Sequence, residues 1–107
     1  MKMRDFVYKY TCDASRRYGD RFELLMPFNA QVLSVDYEYG AFVVWARVDP
    51  FQHSTVRQIH IAPTGQRIPE FLGREPIFIN RVDVKGVEMT LRFHAFDFGE
   101  TTNTVKS

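Results

Sequence analysis

The stretch Gln31-Val32-Leu33-Ser34-Val35-Asp36-Tyr37-Glu38-Tyr39-Gly40-Ala41-Phe42-Val43-Val44-Trp45-Ala46-Arg47-Val48 decides the fold. In its first half Leu33, Val35 and Tyr37 face one way and Ser34, Asp36 and Glu38 the other, which is the two-residue period of a half-buried strand. Tyr39-Gly40 then reads as a tight hairpin turn, because glycine accepts positive φ without a Cβ penalty. Ala41 to Val48 is nearly continuous apolar sequence, as in a strand buried on both faces or at the centre of a curled sheet. On that reading Trp45 is largely buried.

Upstream of this hairpin, Phe6, Tyr8 and Tyr10 alternate with Val7, Lys9 and Thr11, so a strand with one aromatic face is expected. Residues 13–20 are polar with a late glycine and read as a loop. Residues 21–26 alternate again through Phe22, Leu24 and Met26, and Pro27 and Asn29 end them. Downstream, Asp49-Pro50 stops the apolar strand, since proline offers no N–H to a ladder. Residues 55–62 put Arg57, Ile59 and Ile61 on one face and Val56, Gln58 and His60 on the other. Pro63-Thr64-Gly65 breaks that run, and residues 68–73 read as a loop or a single helical turn begun by Pro69. A short strand over 77–82, a turn at Val84-Lys85-Gly86-Val87 and a last strand over 88–98 follow, with Met89, Leu91, Phe93 and Ala95 inward.

These signals predict a mainly β protein of about seven antiparallel strands in a curled sheet, sandwich or small barrel, with at most one short helical turn. A flat single sheet is disfavoured, because Ala41 to Val48 needs cover on both sides. The 107 residues suffice for one domain, and residues 99–107 read as a frayed tail. Ten Phe, five Tyr and one Trp lean the composition toward pleated, half-buried surfaces.

Formal charge is +1, so no net field draws a polyanion, and nucleic acid is disfavoured as a partner. Arg16-Arg17, Tyr18 and Arg21 form a basic cluster, yet Asp13 and Asp20 flank it and favour a solvated loop. Cys12 is alone, which excludes an intrachain disulfide and favours a reducing cytoplasm, with Cys12 as a small core filler. No stretch of about 20 apolar residues marks a membrane segment.

No nucleophile elbow, zinc signature or oriented base stands out, so a non-enzyme without metal or cofactor is expected. His60 and His94 could offer two imidazoles but lack a third ligand, and Asp36 and Glu38 on one strand face read as solvent-facing carboxylates. Pro63-Thr64-Gly65-Gln66-Arg67 brings a hydroxyl, a glycine backbone and a guanidinium together as a small anion nest, against the commoner reading of a plain turn. Candidate binding residues are therefore Thr64, Gly65 and Arg67 with nearby Arg57. Tyr37 and Tyr39 join them, because Tyr8, Tyr10, Tyr37 and Tyr39 exceed what a small core needs and suit recognition at a sheet edge, against the equal reading that their rings cap the core while the hydroxyls reach water.

Val7-Tyr8-Lys9-Tyr10 is followed by Pro27 and Ala30 ahead of Leu33-Ser34-Val35, and then by Gly40, Trp45-Ala46 and Val48-Asp49. Thr64-Gly65, Ile68-Pro69 and Phe93-His94-Ala95-Phe96 complete an order that resembles short proteins of tailed bacteriophages and prophages. Relatives carry a second glycine before the Thr-Gly pair and a histidine after it, where this chain has Pro63 and Gln66. The resemblance implies an accessory protein in the cytoplasm of an infected bacterium, and it implies no enzymatic activity. The expected function is to bind a host macromolecule, most simply a protein, during takeover or evasion of defence. The alternatives are a small-ligand or nucleotide binder and a minor virion or assembly component. An open strand edge would also let a second copy pair.

Overall fold

A computed structural model describes residues 5–101, and these form two antiparallel sheets of eight strands. β1 (Phe6–Thr11), β5 (Ala41–Val48) and β4 (Gln31–Glu38) make a three-stranded sheet in that order. β2 (Arg17–Tyr18), β3 (Arg21–Pro27), β6 (Ser54–Pro63), β8 (Thr90–Thr101) and β7 (Ile77–Lys85) make the other. A single 3-10 turn, Ala14–Arg16, precedes β2, with the Asp13 carboxylate accepting from Ser15 N at its start. Among the described residues no helix is long and apolar enough to cross a membrane.

The β4–β5 hairpin forms as expected, and its turn has φ of 51° at Tyr39 and 84° at Gly40. Positive φ at both central residues is the twist-matched geometry of a two-residue hairpin. Side chains on one face of each sheet meet to build the core. Val35, Val44, Ala46 and Val48 from the three-stranded sheet meet Phe22, Leu24, Met26, Ile59, Ile61, Val82 and Ala95 from the five-stranded one. Phe42 sits among the rings of Phe22, Tyr37 and Phe93 at 5.1–6.3 Å, in edge-to-face contact with each.

The two sheets do not close into a barrel, but one pair of edges is joined by a side chain. A bulge in β7 between Phe78 and Asn80 turns Asn80 toward β4. Its Oδ1 accepts from Val35 N at 2.8 Å and its Nδ2 donates to Val35 O at 2.9 Å. The amide thus supplies the donor and acceptor that a neighbouring strand's backbone would give, and the remaining Nδ2 hydrogen goes to Arg81 O.

Several expectations are corrected. The strand buried on both faces is β6, at the centre of its sheet, where every residue from Thr55 to Ala62 is buried. β5 buries only one face fully, and Trp45 is half-buried on the other, under the Lys9 ammonium at 5.5 Å. Of the two readings of residues 68–73 the loop holds: they contain no helical turn and fold around a Phe71–Arg74 bridge. β7 runs on to Lys85, and Met89 and Leu91 lie exposed at the tip of the β7–β8 hairpin rather than inward. Gly99, Glu100 and Thr101 belong to β8 and pair with Gln58, Arg57 and Val56, so they are no frayed tail; residues 102–107 lie outside the described range.

Candidate functional site

The residues singled out in the sequence do not converge. Tyr37 is exposed on β4 with its ring edge on Phe42, and Tyr39 stands fully in solvent at the hairpin turn. Arg57 is buried rather than beside the Thr64 loop. A bulge in β8 at Phe98 puts Asp97 and Glu100 on one face, and Arg57 reaches both, at 3.2 and 3.5 Å, while donating to Ala30 O at 2.8 Å. Glu100 also accepts from Asn29 N and from the Thr55 hydroxyl. This charged knot fastens the β3–β4 turn to β6 and β8.

The Pro63–Gln66 segment is a turn closed by Gln66 N donating to Pro63 O at 3.1 Å, with φ of 91° at Gly65. A glycine with positive φ at the third position is what a type II turn requires. Thr64 is already engaged: its N–H and hydroxyl donate to Arg92 O, and its oxygen meets His94 Nε2 at 2.8 Å. With the hydroxyl proton directed to a carbonyl and, among the described residues, no group orienting His94 from its other nitrogen, the pair lacks the geometry of an activated nucleophile. The Arg67 side chain has no hydrogen bond or ion pair among the described residues.

The basic cluster and Glu38 are neutralised locally, whereas Asp36 is exposed on β4 without an ion pair among the described residues. Arg16 and Arg21 pair with Glu23, Arg17 pairs with Asp20, and Glu38 pairs with Lys9. Among the described residues no three His, Cys, Asp or Glu side chains are grouped to hold a metal ion. Cys12 is buried in the core, and burial pushes its thiol up to about 12, far from the thiolate that nucleophilic chemistry needs.

What the structure leaves open is β1. Among the described residues it is the terminal strand of its sheet and pairs only with β5, and Phe6, Val7 and Tyr8 are 47, 56 and 41 % exposed. Cys12 N donates to Phe42 O at 2.9 Å, which sets the phase of the ladder. Strand alternation then turns the backbone groups of Phe6, Tyr8 and Tyr10 toward β5 and those of Val7, Lys9 and Thr11 outward. Phe6, Tyr8 and Tyr10 lie opposite Val48, Ala46 and Val44, so their rings share the core side of the sheet and follow one another at 6.2 and 6.5 Å. Of the three only Tyr10 packs against the core, and burial, reinforced by Tyr8, raises its phenol above the ordinary value.

The remaining sheet edges differ from this one. β4 and β7 are joined through Asn80; on the last edge β2 covers only Arg21 and Phe22, and the uncovered remainder of β3, residues 23–27, is shorter than β1, carries no aromatic ring and has Glu23 engaged by Arg16 and Arg21. A six-residue edge with aromatic side chains and outward donors and acceptors is a template for another strand. The alternating aromatics and their place near one end of the chain are readable in sequence, but not that β5 rather than two neighbours would flank them.

No curated protein and no solved structure matches the chain. A family model described as a domain of unknown function, DUF7352, matches residues 3–103, and the chain belongs to that family.

Proposed function

We propose that the protein is a non-catalytic binding protein that takes an extended segment of another protein as an added strand along β1. The carrying observation is the open β1 edge, which offers the N–H and C=O groups of Val7, Lys9 and Thr11 beside a half-exposed row of three rings. Main-chain hydrogen bonds give such an interface affinity, and pockets for alternate side chains give it specificity. Phe6 and Tyr8 would grip apolar or aromatic side chains on one face of the incoming strand. Lys9, already paired with Glu38, adds little field for a polyanion, which favours protein over nucleic acid. The resemblance to phage proteins makes that partner a host protein met in the infected cell, bound during takeover or evasion of defence.

Val7→Pro tests this. Proline there removes an outward N–H and none of the bonds to β5, so the fold survives while an added strand loses its ladder. Capture from bacterial lysate followed by mass spectrometry is expected to return a partner with the native protein and lose it with Val7→Pro. A partner retained equally by both proteins would place the binding surface elsewhere. A native protein that sediments as a dimer, and as a monomer after Val7→Pro, would make a second copy the occupant.

A further inference from the structure

Loop 64–76 folds back over the outer face of the five-stranded sheet and leaves a cleft of about 410 Å³ between them. Arg74 holds the loop down by donating to the carbonyls of Phe98 at 3.1 Å and Glu100 at 2.6 Å. One wall is equally fixed. The Arg21 guanidinium lies over Phe71 at 4.3 Å and Tyr18 at 5.1 Å and donates to Gln58. The cleft is therefore preformed, and its volume lies in the range of small-ligand pockets.

Several of its polar lining groups lack partners among the described residues, His60, Arg67 and Glu70 among them. His60 lines it from β6, is 3 % exposed and has the Phe98 ring edge-to-face at 6.0 Å, and its Nε2 makes no hydrogen bond. Buried polar atoms are nearly always satisfied, so an orphaned imidazole nitrogen beside a cleft leaves a hydrogen-bonding position that a ligand atom or a water can take. Arg67 and Glu70, three residues apart on the exposed rim of the cleft, make neither ion pair nor hydrogen bond with the described residues and are free to meet a ligand. An unanswered guanidinium calls for an anion, an unanswered carboxylate for hydroxyl or ammonium donors, and an imidazole among rings for a planar polar edge.

We propose that this cleft binds a nucleoside 5′-monophosphate, with the base edge on His60, the ribose hydroxyls on Glu70 and the phosphate on Arg67. An inorganic anion would answer Arg67 alone. A free amino acid would answer Arg67 and Glu70 and leave His60 unsatisfied. A polymer does not fit a cleft of this volume. The site lies on the other sheet from β1 and stands or falls independently of it.

Calorimetric titration of the full chain with adenosine, guanosine, cytidine and uridine 5′-monophosphates, the matching nucleosides, inorganic phosphate and tyrosine tests the assignment. At least one mononucleotide should bind at one site per chain, about ten-fold or more tighter than its nucleoside, the scale of one charge-assisted contact. Arg67→Ala, an exposed substitution, should erase that difference and leave nucleoside affinity unchanged. His60→Phe should weaken nucleotide and nucleoside alike, and Val7→Pro should weaken neither. The proposal is overturned if no mononucleotide binds at millimolar concentration, or if Arg67→Ala leaves nucleotide affinity intact. Phosphate or tyrosine binding as tightly as the best nucleotide would overturn it too.

Discussion

Removing the Asn80 amide tests how the two sheets are held together. Val35 is fully buried, and its N–H and C=O point away from β5, where only Asn80 meets them. Each such hydrogen bond contributes about 0.5–1.5 kcal/mol net, so losing both costs about 1–3 kcal/mol, with the upper end reached if no water replaces them. Asn80→Ala should therefore lower the urea midpoint without changing the slope, and lower Tm by about 4–8 °C for each kcal/mol lost. Asn80→Asp separates this account from a simple packing effect. A carboxylate still accepts from Val35 N but sets a negative oxygen against Val35 O and Arg81 O, so at neutral pH it should destabilise more than alanine does. Protonation restores a donor, and part of the loss should return in acid. If Asn80→Ala stays within about 0.5 kcal/mol of the parent, the range of ordinary surface substitutions, the amide does not join the sheets.

Arg57→Ala should cost about 3–5 kcal/mol in chemical denaturation, because it leaves Asp97 and Glu100 close together in the interior without their cation. The His60 imidazole is held below its ordinary value by burial, with Asp20 opposing and Arg21 reinforcing. The folded protein then binds fewer protons than the unfolded chain, so this contribution is fully present above about pH 6.5 and is lost as pH falls through the folded-state value. Urea midpoints measured from pH 8 to pH 5 should decline below about 6.5, and His60→Phe should flatten that decline. Cys12 should resist thiol reagents at pH 8 in the native protein and react fully in denaturant, since burial keeps it protonated.

Most strands could be read from alternation alone, because a side-chain period of two is a local property of the backbone. Phe6–Thr11, Gln31–Glu38 and Ala41–Val48 have the same bounds in structure as in sequence. What alternation cannot show is which strands become neighbours. β5 is the more apolar run, but β6 has a strand on each side and loop 64–76 over its outer face, so β6 is the strand buried on both faces. Bulges are equally invisible. In an unbulged strand Asp97 and Glu100 would lie on opposite faces, and only the extra residue Phe98 lets both meet Arg57 and turns a supposed binding residue into a core ion pair. Thr64 and Gly65 were legible as a turn, whereas the His94 and Arg92 contacts that occupy Thr64 come from a strand 28–30 residues away. His60 looked like an ordinary cross-strand histidine because nothing local announces that residues 64–76 will fold over it.

The central claim is that β1 is an open edge filled by a partner's strand, and residue-resolved amide hydrogen exchange tests it most directly. In the free protein the Val7, Lys9 and Thr11 amides should exchange near the rate of an unstructured chain, while Tyr8 and Tyr10, bonded to β5, are protected. In the complex captured from lysate, Val7, Lys9 and Thr11 should become protected to the level of their neighbours. If they are already protected in the isolated protein, or stay unprotected in a stable complex, the account of β1 is contradicted.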